Sequence, residues 1–177
     1  LDVTASLNGF ALVSSEIVDG RRIFHLPIPM KRGREGTLTI TFSGKAPKGL
    51  AFDGDSVSAS YFTCDYMVCD QDRTSDRAML DTRLTLVPGM DAVAPGKLVS
   101  VSDTRDGNKL WRWRLTPGRA AYLFGFAAGR FKRVALRGED PMQDVLTVAA
   151  SADQVRAMFA DTERMAFFFG QRAGVPF

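Results

Sequence analysis

The chain has 177 residues, 45% of them hydrophobic and 24% charged, with a formal charge of +3. That balance excludes a disordered chain and fits one soluble domain burying roughly two-thirds of its unfolded surface without metal or disulfide staples. The single histidine, His25, excludes a HExxH zinc helix in this chain, because that motif needs two.

The first two-thirds read as β. Leu1 to Leu7 alternates, Asn8-Gly9 follows, and Phe10 to Val18 is extended. Asn-Gly between extended runs is a hairpin signal, since a type I′ turn needs positive φ at both positions. Asp19-Gly20 repeats the device before Arg21 to Leu26, so Leu1 to Leu26 reads as a three-strand meander ended by Pro27 and Pro29. Thr37 to Phe42 alternates with Leu38, Ile40 and Phe42 on one face. Gly44 to Gly49 is a loop, and Ser58 to Val68 is apolar and aromatic. Strands resume at Ala78 to Val87, twice within Asp91 to Val101 around Pro95-Gly96, and at Lys109 to Leu115, closed by Pro117-Gly118. Tyr122 to Phe126 is a continuous apolar run of the kind that forms a central strand. Leu146 to Ala149 is the last β segment.

Ser151 to Gln154 fits a capping box, with Val155, Met158 and Phe159 at helical spacing behind it. Thr162 to Gln171 is a second helical piece with Met165, Phe168 and Phe169 on one side. The expected fold is mainly β: a β-sandwich or saddle of antiparallel and mixed sheets with a C-terminal helical tail. Residues 1–150 form the β part, and 151–177 the helical segment.

The constellations that could carry chemistry have plainer readings. The basic clusters Lys31 to Arg34 and Arg130 to Arg133 are too short for a nucleic-acid footprint. No apolar run is long enough to span a bilayer. Asp65, Asp70, Asp72, Asp76 and Asp81 crowd Cys64 and Cys69, but the cysteine spacing is not that of a zinc site. The two cysteines read as free or buried thiols, with a bridge as the less favoured state. A Cys–His hydrolase using Cys64 or Cys69 with His25 ranks lowest. Trp111, Trp113 and Phe167 to Phe169 read as core packing. The chain opens on Leu1 with no signal peptide, so it reads as a piece of something longer, and its localisation stays open.

Cys69 to Ala78, followed by Leu80-Asp81 and Leu84 to Pro88, resembles the N-terminal domain of the M1 family of zinc aminopeptidases. That family shows a Pro-Cys-x-Asp-x-Pro-Ser-like stretch running into a strand that ends Thr-Val-Pro. Asp91 to Val99 is similar to a hairpin of the same domain, Ala121 to Phe131 to its Tyr-Leu-x-Ala-Phe-x-x-Gly-x-Phe strand, and Met165 to Phe177 to the segment entering its catalytic domain. The resemblance covers the chain from about Leu38 onward. Thr74 stands where Pro is usual, and the family's first strands would lie upstream of Leu1.

The resemblance implies a β-saddle that covers an active site built elsewhere. Zinc, the HExxH motif and its downstream Glu would belong to a C-terminal catalytic domain of the same polypeptide. Within this chain it implies no catalytic residue and no metal ligand. The family's N-terminal domain lends a Gln or Glu to the α-amine of a peptide substrate. Val57 to Tyr61 contains neither, and Asp65 is the nearest acid. Asp65 and Tyr61 are therefore the candidate substrate-binding residues. The alternative is a free-standing β-sandwich module that binds peptide or carbohydrate in an aromatic groove near Tyr61, Phe62 and Trp113.

Overall fold

The computed structural model describes residues 2–19, 21–44, 48–59, 64, 66–67, 74–136 and 143–175. The chain divides into two compact units, Leu1–Pro47 and Lys48–Phe177. Every strand pairing among the described residues is antiparallel, and two helices end the chain, so the architecture is mainly β.

The first unit holds β1 (Asp2–Leu7), β2 (Phe10–Ala11), β3 (Ser15–Val18), β4 (Arg21–Phe24) and β5 (Leu38–Ser43). Both expected turns form, with φ of 51° at Asn8, 86° at Gly9 and 50° at Asp19. The three-strand meander does not. The run from Phe10 to Val18 breaks at Leu12–Ser14: β2 pairs with β1, whereas β3 pairs only with β4 as a separate hairpin. The free side of β1 is taken by β5, in register from Asp2↔Ser43 to Leu7↔Leu38. Asn8 ties that pair shut, donating its backbone N–H to the Thr37 carbonyl and accepting the Thr37 N–H on Oδ1, each at 2.8 Å. On β5 only Ile40 is half-buried, and Leu38 and Phe42 stay exposed.

The second unit holds β6 (Leu50–Asp53), β7 (Ser56–Ala59), β8 (Arg77–Leu86), β9 (Asp91–Val93), β10 (Lys97–Asp103), β11 (Lys109–Ala120), β12 (Phe126–Gly129), β13 (Lys132–Ala135) and β14 (Asp144–Thr147). Three strands run in the order β10-β11-β8, four in the order β6-β7-β12-β9, and β13 pairs with β14. Trp111 on β11 packs against Ala92 of β9 and Ala128 of β12, with Leu84, Leu86 and Val57 around them. Its bulk fits because both alanines, fully buried, leave the facing sheet shallow. This contact joins the two sheets as a sandwich.

Two strands differ from expectation. Pro117-Gly118 does not end β11: a shift in register between Leu115 and Arg119 absorbs the extra residues, and pairing with β8 resumes at Arg119↔Ala78. Proline is tolerated there because a bulge spares it a ladder bond. The central strand exists, but four residues later than the apolar run implies. Ala121–Leu123 is a short 3-10 turn, and Phe126–Gly129 is the strand held between β7 and β9. Small residues fit that position, since strands are paired on both sides and sheets are stacked over it.

The helices are α1 (Ala152–Met158) and α2 (Thr162–Ala173). The capping box forms as read: Ser151 Oγ accepts from Gln154 N at 3.3 Å, and Ser151 N donates to Gln154 Oε1 at 2.8 Å. Val155, 2% exposed, anchors α1, which packs on β13. Replacing Ser151 by alanine is expected to cost about 1 kcal/mol in a urea melt. A loss below a few tenths would mean that Val155 alone holds α1. On α2 no residue is buried, and Met165, Phe167, Phe168 and Phe169 are all exposed. No helix among the described residues is long and apolar enough to cross a membrane.

Candidate functional site

The sandwich brings the end of β7, the end of β9 with its following turn, and the start of β12 to one place. Together they form an open groove of about 400 Å³, lined by Ser58 and Ala59, by Val93, Ala94 and Pro95, and by Gly125, Phe126 and Ala127. The register builds it: Phe126 lies opposite Ala59, and Ala127 opposite both Ser58 and Val93. The ring of Tyr66 meets Phe126 edge-on, at 6.5 Å and 80°. One wall is fixed by Gly96, which holds φ +98° and whose missing Cβ would strike the Arg114 carbonyl on β11. Only glycine fits there, so the Pro95-Gly96 turn is clamped against its neighbouring strand.

The lining is apolar apart from Ser58 and backbone. Among the described residues it contains no acid, base or thiol, and the lining suits a small apolar side chain. The candidate residues Tyr61 and Asp65 lie outside the described residues, as do Phe62 and Cys69. Cys64 lies between them in sequence and is disulfide-bonded. The reading of two free thiols is therefore corrected. A sulfur held in a disulfide is no thiolate, which also removes Cys64 as a hydrolase nucleophile. His25 is engaged elsewhere, with Nε2 3.1 Å from Glu16 Oε1 beside the β3–β4 hairpin. Trp111, 8% exposed, is core rather than platform.

A charged cluster on the outer face of the β10-β11-β8 sheet is not legible in the local sequence. Asp81 on β8 accepts from Arg112 Nη2 at 2.6 Å and Nε at 3.1 Å, from Arg83 Nε at 3.2 Å, and from Arg114 Nη2 at 3.4 Å. Hydrogen bonds from Arg112 above all hold the Asp81 carboxyl well below the usual carboxylate range; desolvation, the next largest effect, opposes them, and Arg83 and Arg114 add to the lowering. The only sequence signal is period-2 alternation, which puts Arg112 and Arg114 on the face opposite Trp111 and Trp113. Which residue of β8 meets them depends on pairing across the intervening β9 and β10.

Because folding depresses this pKa, the stability contributed by Asp81 is present above about pH 4 and is lost as pH falls through the folded value. The difference in urea midpoint between wild type and Asp81→Asn is expected to favour wild type at pH 7 and to narrow steadily below pH 4. A constant difference across that range would show that the charge of Asp81 is not what stabilises.

Among the described residues no group of three or more His, Cys, Asp or Glu could hold a metal ion. The donors here do not fit a zinc site, and no chemical step is assigned to one in this chain.

No protein-family model and no curated protein matches the sequence. Solved structures do match the fold. An M1 zinc metallopeptidase from Deinococcus radiodurans superposes with a TM-score of 0.60 at 18% identity, over 88% of this chain and 42% of that chain. A point mutant of it gives a TM-score of 0.63 at 19% identity, over the same shares. A two-domain M1 zinc metallopeptidase mutant bound to L-tryptophan gives 0.59 at 19% identity, over 89% and 45%. At such identity the likeness is one of fold, and the chain spans less than half the length of the structures it matches.

Proposed function

We propose that this chain is the non-catalytic N-terminal domain of a zinc-dependent M1-type metallopeptidase, that it caps the active site, and that it shapes the entrance for peptide substrate. The observation that carries the proposal is the fold match over 88% of this chain to less than half of zinc metallopeptidase chains. One related mutant structure was solved with a Tyr-Ser-Ala substrate bound.

Exposed apolar side chains support a partner domain: Met165, Phe167, Phe168 and Phe169 all stand exposed on α2. Surface of this kind is covered when a neighbouring domain docks. The helical segment 151–177 leads toward that domain in this reading.

The role of the chain is then geometric. The apolar groove at Phe126 receives a substrate side chain and excludes water from it, Asp65 holds the α-amine, and Tyr61 lines the approach. Proximity and desolvation come from this domain, and bond cleavage comes from the other.

The test compares this chain alone with the protein carrying the sequence downstream of Phe177. Zinc content and turnover of aminoacyl and dipeptide substrates are measured for both. The chain alone is expected to hold no stoichiometric zinc and to turn over nothing, and the longer protein to do both. Stoichiometric zinc with turnover in the isolated chain would sink the proposal.

A further inference from the structure

Among the described residues, charge gathers away from the groove on the outer face of the three-stranded sheet, on the side opposite Trp111. Register places Arg114 opposite Asp81 of β8 and Lys97 of β10, and Arg112 opposite Arg83. Directly opposed residues share a face, so four cations share it with one carboxylate, which three of them, Arg83, Arg112 and Arg114, contact. Like charges directly across a ladder are destabilising. Asp81 offsets the Arg112–Arg83 repulsion by bonding both, and a single carboxylate shared among three guanidiniums leaves this face with a net positive charge.

The cluster is also organised. Asp81 gathers three guanidinium groups, yet its bonds leave roughly half of their nitrogens for another acceptor. Arg83 and Arg114, 61% and 52% exposed, point the remaining donors outward. Arg83 and Arg114 are diagonal neighbours across the β8–β11 ladder, about 7–8 Å apart, close to the ~6.8 Å repeat of alternate side chains on an extended partner chain. Four cations across three strands are few for a nucleic acid, whose binding needs many phosphate contacts.

We infer that this face docks an extended acidic segment of another polypeptide, with Arg83 and Arg114 as the principal contacts to its carboxylates. Bidentate guanidinium–carboxylate bonds give affinity and register, and Lys97 extends the attraction along β10. The inference stands apart from the peptidase reading, because the face is turned away from the groove.

The experiment uses the full-length protein and a fluorescein-labelled peptide of alternating Asp and Ser, followed by anisotropy. Saturable binding that weakens with salt is expected, with loss of about tenfold or more in Arg83→Ser/Arg114→Ser. The Arg83→Gln/Arg114→Gln pair keeps side-chain bulk on the sheet and is expected to show the same loss with an unchanged far-UV circular dichroism spectrum, because Arg112 still holds Asp81. Lys31→Ser/Arg34→Ser removes equal charge from the first unit and is expected to bind within about twofold of wild type. Equal losses in all the double variants, absence of saturable binding, or tighter binding of a single-stranded oligonucleotide would each overturn the inference.

Discussion

Replacement of Trp111 by alanine is expected to destabilise the chain by about 3–5 kcal/mol, a large share of the stability of a domain this size. Among the described residues the ring is the largest side chain in the contact between the sheets, and Ala92 and Ala128 cannot move to fill its space because both are fully buried on paired strands. Far-UV circular dichroism during urea unfolding reads the effect. Trp111→Phe is the informative companion. The indole Nε1 of Trp111 is buried without a hydrogen-bond partner, so phenylalanine removes an unsatisfied donor along with some volume. Its expected cost is less than about 2 kcal/mol. If alanine and phenylalanine cost the same, the sandwich does not rest on this ring.

Val93→Trp, made in the peptidase proposed above, is expected to narrow substrate choice without abolishing turnover. Val93 stands at the groove beside Ala127, and an indole there would intrude on the space that a bulky side chain needs. kcat/KM for substrates with a bulky first side chain should fall by about tenfold or more, carried by KM, while alanine substrates stay near wild type. Equal loss for small and bulky substrates would remove the groove from the entrance. No change for either would do the same.

Local signals in the sequence located most of the strands and missed how they associate. Asn8-Gly9 and Asp19-Gly20 marked real turns because their chemistry is local: positive φ is needed where they sit. The breakup of Phe10–Val18 into strands of two different sheets is a matter of partner choice, and alternation along one segment says nothing about it. The β6–β7 hairpin turns on Gly54-Asp55, since Asp53 pairs with Ser56; its strands are only four residues each, too short for alternation to mark them. At Tyr122 to Phe126 hydrophobicity misled, since aromatic bulk suits the edge of a turn while the doubly paired strand takes Phe126-Ala127-Ala128-Gly129. The Asp81 cluster was beyond local reading altogether, because its partners meet through a ladder that closes over two intervening strands. The motif resemblance pointed to the M1-type fold, and the structure has it; the residues proposed for the α-amine, Asp65 and Tyr61, lie outside those described.

The strand order also dictates a sequence of events during synthesis. Each adjacent hairpin, β6 with β7 or β10 with β11, has both halves available soon after they leave the ribosome. β8 waits: Arg77 must be met by Ala120, and Leu86 by Lys109, so most of its ladder closes only after β11 has emerged. β7 and β9 wait longer, since the strand between them, β12, comes last of the four in that sheet. Loop closure over such separations slows folding. The groove at Phe126 is thus completed late, and a nascent chain paused before Gly129 holds β7 and β9 without the strand that unites them.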